Sequence, residues 1–139
     1  MVTASIIFAL HGFLEGSLGL LLFLAPSLCV NALNIKEEFA NLLAQGYGAA
    51  LLSSAVISLL CHTLPDMLPC KRAVGMGMMV YHSLVALVAF QWRFSGPFPT
   101  STCWSIVALH LLCLFFFYIW FKVTEAQVKS FTKANKPKH

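Results

Sequence analysis

The sequence predicts an all-α, polytopic membrane protein in which four transmembrane helices form an antiparallel bundle. Of its 139 residues, 59% are hydrophobic and only 10% are charged, whereas about 25% of the residues of a typical soluble domain are charged. Four apolar windows, at about 5–30, 39–62, 73–92 and 103–121, are each near the roughly 20 residues that cross a bilayer. No alternating pattern typical of a membrane β-barrel is present, so the windows predict helices.

The chain is predicted to hold a single transmembrane domain, residues 1–122, followed by a basic tail at 123–139. The loops between the windows are short, which makes neighbouring helices antiparallel. The first window lacks a basic segment before it and is too long for the core of a signal peptide, so we expect a retained helix. Pro26 is expected to kink or end this helix. Glu125 and Lys129, four residues apart, predict a helical ion pair at the start of the tail.

The distribution of lysine and arginine predicts the orientation of the chain in the membrane. Seven basic residues fall on the side of the termini and the second loop: Lys71, Arg72, Lys122, Lys129, Lys133, Lys136 and Lys138. Only Lys36 and Arg93 fall on the other side. This excess predicts an integral membrane protein with both termini in the cytoplasm. We expect the Lys71–Arg72 pair at the membrane surface, and Trp120 in the aromatic belt on the same side.

The first predicted span has a small, polar face. His11, Gly12, Glu15, Gly16 and Gly19 fall on one stripe of a helix, whereas the remaining residues are mostly large and apolar. A carboxyl group in lipid is costly and normally faces the interior of a bundle. The other spans are therefore expected to pack against this face.

The second predicted span carries its own stripe of small residues. Gly46, Ala50 and Ser54 are spaced at i, i+4 and i+8. Such spacing allows another helix to approach closely. We interpret these three residues as helix-packing positions.

Ionisable residues of three spans are predicted to share one depth. At 1.5 Å per residue, Glu15, His82 and His110 fall near the bilayer centre, with His11 about 6 Å further in and Gln45 about a turn and a half further out. One hypothesis is a polar pocket, in which Glu15 accepts a proton or binds a cation and the histidines relay protons or orient a substrate. The alternative is an interhelical hydrogen-bond cluster that fixes helix register.

Other kinds of site have little support in the sequence. We find no phosphate-binding loop, nucleophile elbow or redox Cys-x2-Cys motif, so no residue is assigned as catalytic and no cofactor is expected. Neither His-x3-His nor Cys-x2-Cys spacing occurs, so no metal is expected. The expected partners are membrane lipid and another membrane protein or a second copy of the chain, with no nucleic acid.

The segment His11-Gly-Phe-Leu-Glu15-Gly-Ser-Leu-Gly19, which continues to Pro26, is followed by Gln45-Gly-Tyr-Gly-Ala-Ala50. Together these segments resemble the small four-helix membrane proteins of the DoxX-like group and related families of unknown function. The resemblance covers roughly the first 60 residues and implies a four-helix bundle. Because the group includes redox-associated, chaperone-like and uncharacterised members, it implies no catalytic residue.

Three functions are compatible with these observations. The first is an accessory, assembly, lipid-binding or partner-binding protein that acts through a polar bundle interior. The second is a transporter or channel for protons or small solutes, and the third is a lipid-modifying membrane enzyme, both using Glu15 with His82 and His110. Oligomer formation would favour a channel, and a lipid bound between the helices would favour binding or catalysis. A packed interior without a cavity would favour the accessory function.

Overall fold

The computed structural model describes residues 5–32 and 38–134. Of these residues, 87% are helical and none is in a strand. The helices are α1 (Ile6–Leu24), α2 (Pro26–Ala32), α3 (Glu38–Thr63), α4 (Pro69–Gln91), α5 (Thr100–Val123) and α6 (Glu125–Ala134). Helices α1, α4 and α5, and α3 from Ala40 onwards, are long and apolar enough to cross a membrane. The prediction of an all-α bundle with four membrane-spanning helices is confirmed.

Proline divides the first predicted span. Helix α1 ends at Leu24, Ala25 leaves the helical conformation with φ −135° and ψ 54°, and Pro26 begins α2. Proline has no N–H for the helix ladder and disfavours the helical conformation in the residue before it. The prediction that Pro26 ends the helix is confirmed, and α1 is correspondingly shorter than the window 5–30.

The third span begins at Pro69 rather than at the predicted residue 73. Leu68 is extended, with ψ 131°, as expected before a proline. Proline is favoured in the first turn of a helix, where its missing N–H is not needed. Lys71 and Arg72 therefore lie in the first turn of α4, whereas the sequence placed them in a surface loop.

The bundle is built from two pairs of helices. Helix α1 packs along α3, and α4 packs along α5, whereas α3 and α4 have few contacts with each other. Within the candidate spans, 33% of α1 is buried but only 22% of each of the other three. Helix α1 is thus the most enclosed span, and a cleft remains between α3 and α4.

Close backbone contact joins α1 to α3 at the three glycines of the first span. A methyl group added at Gly19 would lie 3.0 Å from the carbonyl oxygen of Gly48, and one added at Gly12 would meet the side chain of Leu59 at 2.8 Å. At Gly16 it would be 3.4 Å from Ala55. Gly12, Gly16 and Gly19 therefore lie at the contact between α1 and α3.

Gly46 and Ala50, two residues of the packing stripe predicted on α3, do not pack against another helix in the described part of this chain. A methyl group added at Gly46 would meet nothing within 4 Å, and Ala50 is exposed. The contact with α1 uses Gly48 and Ala55 instead. At 3.6 residues per turn, Gly46 points about 180° and Ala50 about 140° away from Ala55. Ser54, at about 100°, is half-buried and lies in the cleft beside α4.

A buried polar network joins the α3–α4 loop to α1, α4 and α5. We call Ser5, Asp66, Lys71 and Trp120 the clasp. The fully buried Lys71 ammonium lies 2.7 Å from Asp66 Oδ1 and donates hydrogen bonds to Ser5 Oγ and the Leu64 carbonyl. Trp120, 2% exposed, donates its indole N–H to Asp66. Lys71 and Trp120 were expected at the membrane surface; the structure places both side chains inside the protein, where Asp66 is their common partner.

The clasp predicts a loss of stability in acid. Burial alone would raise the pKa of Asp66, but hydrogen bonds from Lys71, Ser5 and Trp120 outweigh it and hold the pKa below its ordinary value of 3.8. Because the folded pKa is the lower one, this stabilisation is complete above the unfolded pKa and is lost as pH falls through the folded pKa. We expect the thermal unfolding temperature of the unmodified protein to decrease when the pH is lowered below about 4. The decrease should be smaller for Asp66→Asn. Equal acid sensitivity of the two proteins in nanodiscs would contradict this assignment.

Candidate functional site

Four ionisable side chains from three helices meet inside the bundle. This buried cluster consists of His11 and Glu15 of α1, His82 of α4 and His110 of α5. His11 Nε2 lies 3.2 Å from Glu15 Oε1, and the Nδ1 atoms of His82 and His110 are 2.8 Å apart. The rings of His11 and His82 meet at right angles, with their centroids 4.9 Å apart. The structure therefore brings together four of the five candidates identified in the sequence.

Most of the cluster is buried inside the bundle. His11 and His82 are each 2% exposed and Glu15 is 6% exposed, while His110 is half-buried. Phe117 packs edge-on against His11 and stacks on His82. Glu15 is the central residue of α1, nine residues from either end of that helix. Intramembrane ionisable groups are costly and commonly mark a functional site.

The cluster is only partly satisfied by hydrogen bonds. His11 Nδ1 lies 2.9 Å from Ser58 Oγ, and the Ser54 hydroxyl faces the Glu15 carboxyl group. Within the described residues, however, His11 Nε2, Glu15 Oε2 and His82 Nε2 have no hydrogen-bond partner. The 3.2 Å contact of His11 with Glu15 is close enough for an ion pair but lacks hydrogen-bond alignment.

Three members of the cluster form a candidate set of metal ligands. One ligand atom from each of His11, Glu15 and His82 lies within 4.8 Å of the other two. Sequence spacing did not predict this set, because its members come from two helices that are far apart in the chain. Two imidazoles and a carboxylate are common ligands of zinc and iron.

A cleft lies between α3 and α4, beside the cluster but not lined by its four members. It has a volume of about 390 Å³, and its walls include Tyr47, Ala50, Ser54, Gly77, Met78 and Tyr81. The Tyr47 and Tyr81 hydroxyls, one from each helix, are 2.6 Å apart. Ser54 is the cleft residue nearest to the cluster in this respect, since it interacts with Glu15, and its hydroxyl donates a hydrogen bond to Met78 Sδ at 3.7 Å. The cleft thus has apolar walls and a polar base.

Gln45 is not part of the cluster. Its side chain is exposed and donates a hydrogen bond to the Phe23 carbonyl, near the end of α1. Ser54, the α3 residue that does face Glu15, is nine residues further along, which corresponds to about 13.5 Å of helix. The proposed role of Gln45 in a shared pocket was therefore wrong.

Sequence reasoning missed two parts of this site. Ser58 was not singled out, although it follows Ser54 by one helical turn and a repeated serine in an apolar span is a usable signal. The contact between Tyr47 and Tyr81 depends on how α3 and α4 pack, although Tyr81 directly precedes the candidate His82 in the sequence. Ser54 was predicted to pack against a helix, but it lines the cleft.

No protein-family model, curated protein or solved structure matches this chain. The resemblance of its first part to the DoxX-like group therefore stays a hypothesis. The functional interpretation depends on the buried cluster and the cleft.

Proposed function

We propose that this chain is an accessory membrane protein that binds a lipid-like amphiphile in the α3–α4 cleft. The observation that carries the proposal is the position of the cleft, which opens at the side of the bundle between α3 and α4 and is lined by Ser54 and the hydrogen-bonded Tyr47–Tyr81 pair. An apolar body would lie against the cleft walls. A hydroxyl or similar polar group would reach Ser54 and Glu15.

The size and lining of the cleft support a small-molecule ligand. Its volume of about 390 Å³ falls within the range of about 300–1,000 Å³ typical of ligand pockets. Such pockets are mostly apolar and contain a few polar groups that orient the ligand. Met78 adds a flexible and polarizable side chain, which adapts well to irregular ligands.

The cluster favours local proton transfer over transport across the membrane. Its members lie in one layer near the middle of their helices, so they do not extend towards both membrane surfaces. The 2.8 Å contact between His82 and His110 supports a second candidate function, in which the cluster transfers protons to or from a bound lipid. A transmembrane channel would need further polar residues along the membrane normal or a second copy of the chain.

Lipid photolabelling with two matched leucine variants tests the proposal. Gly77 lines the cleft and Gly46 does not, yet a side chain added at either glycine meets open space. We expect Gly77→Leu, in nanodiscs, to reduce labelling by diazirine cholesterol or diazirine palmitate about tenfold, equivalent to 1.4 kcal/mol of binding free energy. Gly46→Leu should label like the unmodified protein. Equal labelling of all three proteins by both probes would contradict lipid binding in the cleft.

The topology and partners are part of the same proposal. We propose that both termini are cytoplasmic, because the tail and α4 carry most of the basic residues. Helix α6 continues the chain beyond α5 and carries the predicted ion pair, with Glu125 Oε1 2.8 Å from Lys129 Nζ. The exposed faces of the spans are available for another membrane protein or a second copy.

A further inference from the structure

We propose that His11, Glu15 and His82 bind a divalent transition metal of the zinc and iron group. The proposal begins from atoms that lack partners. Both imidazoles are 98% buried and Glu15 is 94% buried, yet His11 Nε2, Glu15 Oε2 and His82 Nε2 have no hydrogen-bond partner in the described part of the chain. Buried polar groups are nearly always paired, so three unpaired atoms in one cluster are candidates for ligands of a cation.

The second ring nitrogens support the same conclusion. His11 Nδ1 has Ser58 Oγ at 2.9 Å, and His82 Nδ1 has His110 Nδ1 at 2.8 Å. Histidines that bind metal usually donate their other ring N–H to such an outer partner, which fixes the ring and leaves a lone pair for the metal. In a metal-bound form, Nδ1 of His11 and of His82 would carry the ring proton and donate it to these partners, which would leave each Nε2 lone pair for the metal.

The contact between His11 and Glu15 is compatible with the same site. His11 Nε2 lies 3.2 Å from Glu15 Oε1. When the ring proton is on Nδ1, a metal ion bound by both atoms would offset the repulsion between the lone pair and the carboxylate.

The spacing of the ligands is compatible with one ion. The three ligand atoms lie within 4.8 Å of one another, whereas ligands of a tetrahedral zinc ion are roughly 3.4 Å apart. Side-chain movements of about 1 Å would complete the site. Three protein ligands leave at least one coordination position open, which is typical of catalytic rather than structural sites. Ser54 connects this region to the cleft.

Metal analysis of the full chain in nanodiscs tests the inference. We expect about one zinc or iron per chain by mass spectrometry after dialysis against a weak chelator. Glu15→Gln and His82→Asn should each lower the metal affinity at least about tenfold. His62→Asn is the matched control, since His62 bonds to the Ser5 carbonyl outside the cluster, and it should keep the metal.

Cobalt binding by the unmodified protein keeps the test decisive if the variants fail to fold. After removal of the native metal, Co²⁺ should restore a one-to-one complex with visible absorption bands of nitrogen-ligated cobalt. A protein that retains no metal and binds no Co²⁺ would overturn the proposal, as would equal metal content in His82→Asn and His62→Asn. The inference does not rest on lipid binding, because metal content and lipid labelling are measured separately.

Discussion

We expect Lys71→Met to lower the free energy of unfolding by about 3–5 kcal/mol, since removal of one member of a buried ion pair leaves the other charge without a partner. Lys71 is fully buried and holds Asp66 at 2.7 Å. The same substitution also removes its hydrogen bonds to Ser5 and the Leu64 carbonyl. Unfolding by sodium dodecyl sulfate in mixed micelles, followed by circular dichroism, measures the change.

Lys129→Met is the matched control for this prediction. Lys129 also contacts a carboxylate at 2.8 Å, but its side chain is 75% exposed, and exposed pairs contribute little to stability. We expect no measurable change in the free energy of unfolding for Lys129→Met. The double variant Asp66→Asn/Lys71→Met should lose less stability than Lys71→Met, because it leaves no charge unpaired. Equal effects of Lys71→Met and Lys129→Met would contradict a structural role for the clasp.

The second large loss of stability is expected when Gly48 of α3 is replaced. A methyl group there would lie 2.8 Å from the Phe23 amide nitrogen and 2.9 Å from the Gly19 carbonyl oxygen. Both atoms belong to the backbone of α1, so the contact is relieved only if the helices separate. We expect Gly48→Ala to destabilise the bundle by about 1–3 kcal/mol, the usual cost of overpacking.

Gly46→Ala should stabilise the bundle, whereas Gly48→Ala should destabilise it. Gly46 lies in the same helix with open space around the added methyl group, and alanine is favoured over glycine in a helix by up to about 1 kcal/mol. The same unfolding assay compares the two variants. A destabilised Gly46→Ala together with an unchanged Gly48→Ala would show that α3 is rotated relative to the structure.

The length and hydrophobicity of the spans sufficed to predict the fold, and proline predicted where the first helix ends. The face that α3 turns towards α1 was harder to predict. Gly46 and Gly48 are both small residues in an apolar helix, and only the packing against Gly19 distinguishes them. Hydropathy also places lysine at a membrane surface, but it contains no information about a buried carboxylate such as Asp66.

For the candidate site, the useful signal in the sequence was the depth of each ionisable residue along its predicted span. Glu15, His82 and His110 are widely separated in the sequence, yet counting residues along each span placed them in one layer. In the structure His82 contacts His110, and His11 lies between His82 and Glu15. Depth does not determine rotation about the helix axis. For this reason Ser58 was overlooked, and the cleft between α3 and α4 was not predicted.

The position of the lipid label tests the central claim most directly. After irradiation in nanodiscs with diazirine cholesterol or diazirine palmitate, the labelled residues are identified by peptide mass spectrometry. The cleft hypothesis predicts labels concentrated at the facing walls, on residues 47–57 of α3 and 74–81 of α4, and their loss in Gly77→Leu but not in Gly46→Leu. Labels spread over all exposed faces of the four spans, and unchanged in Gly77→Leu, would show that lipid surrounds the bundle without occupying the cleft.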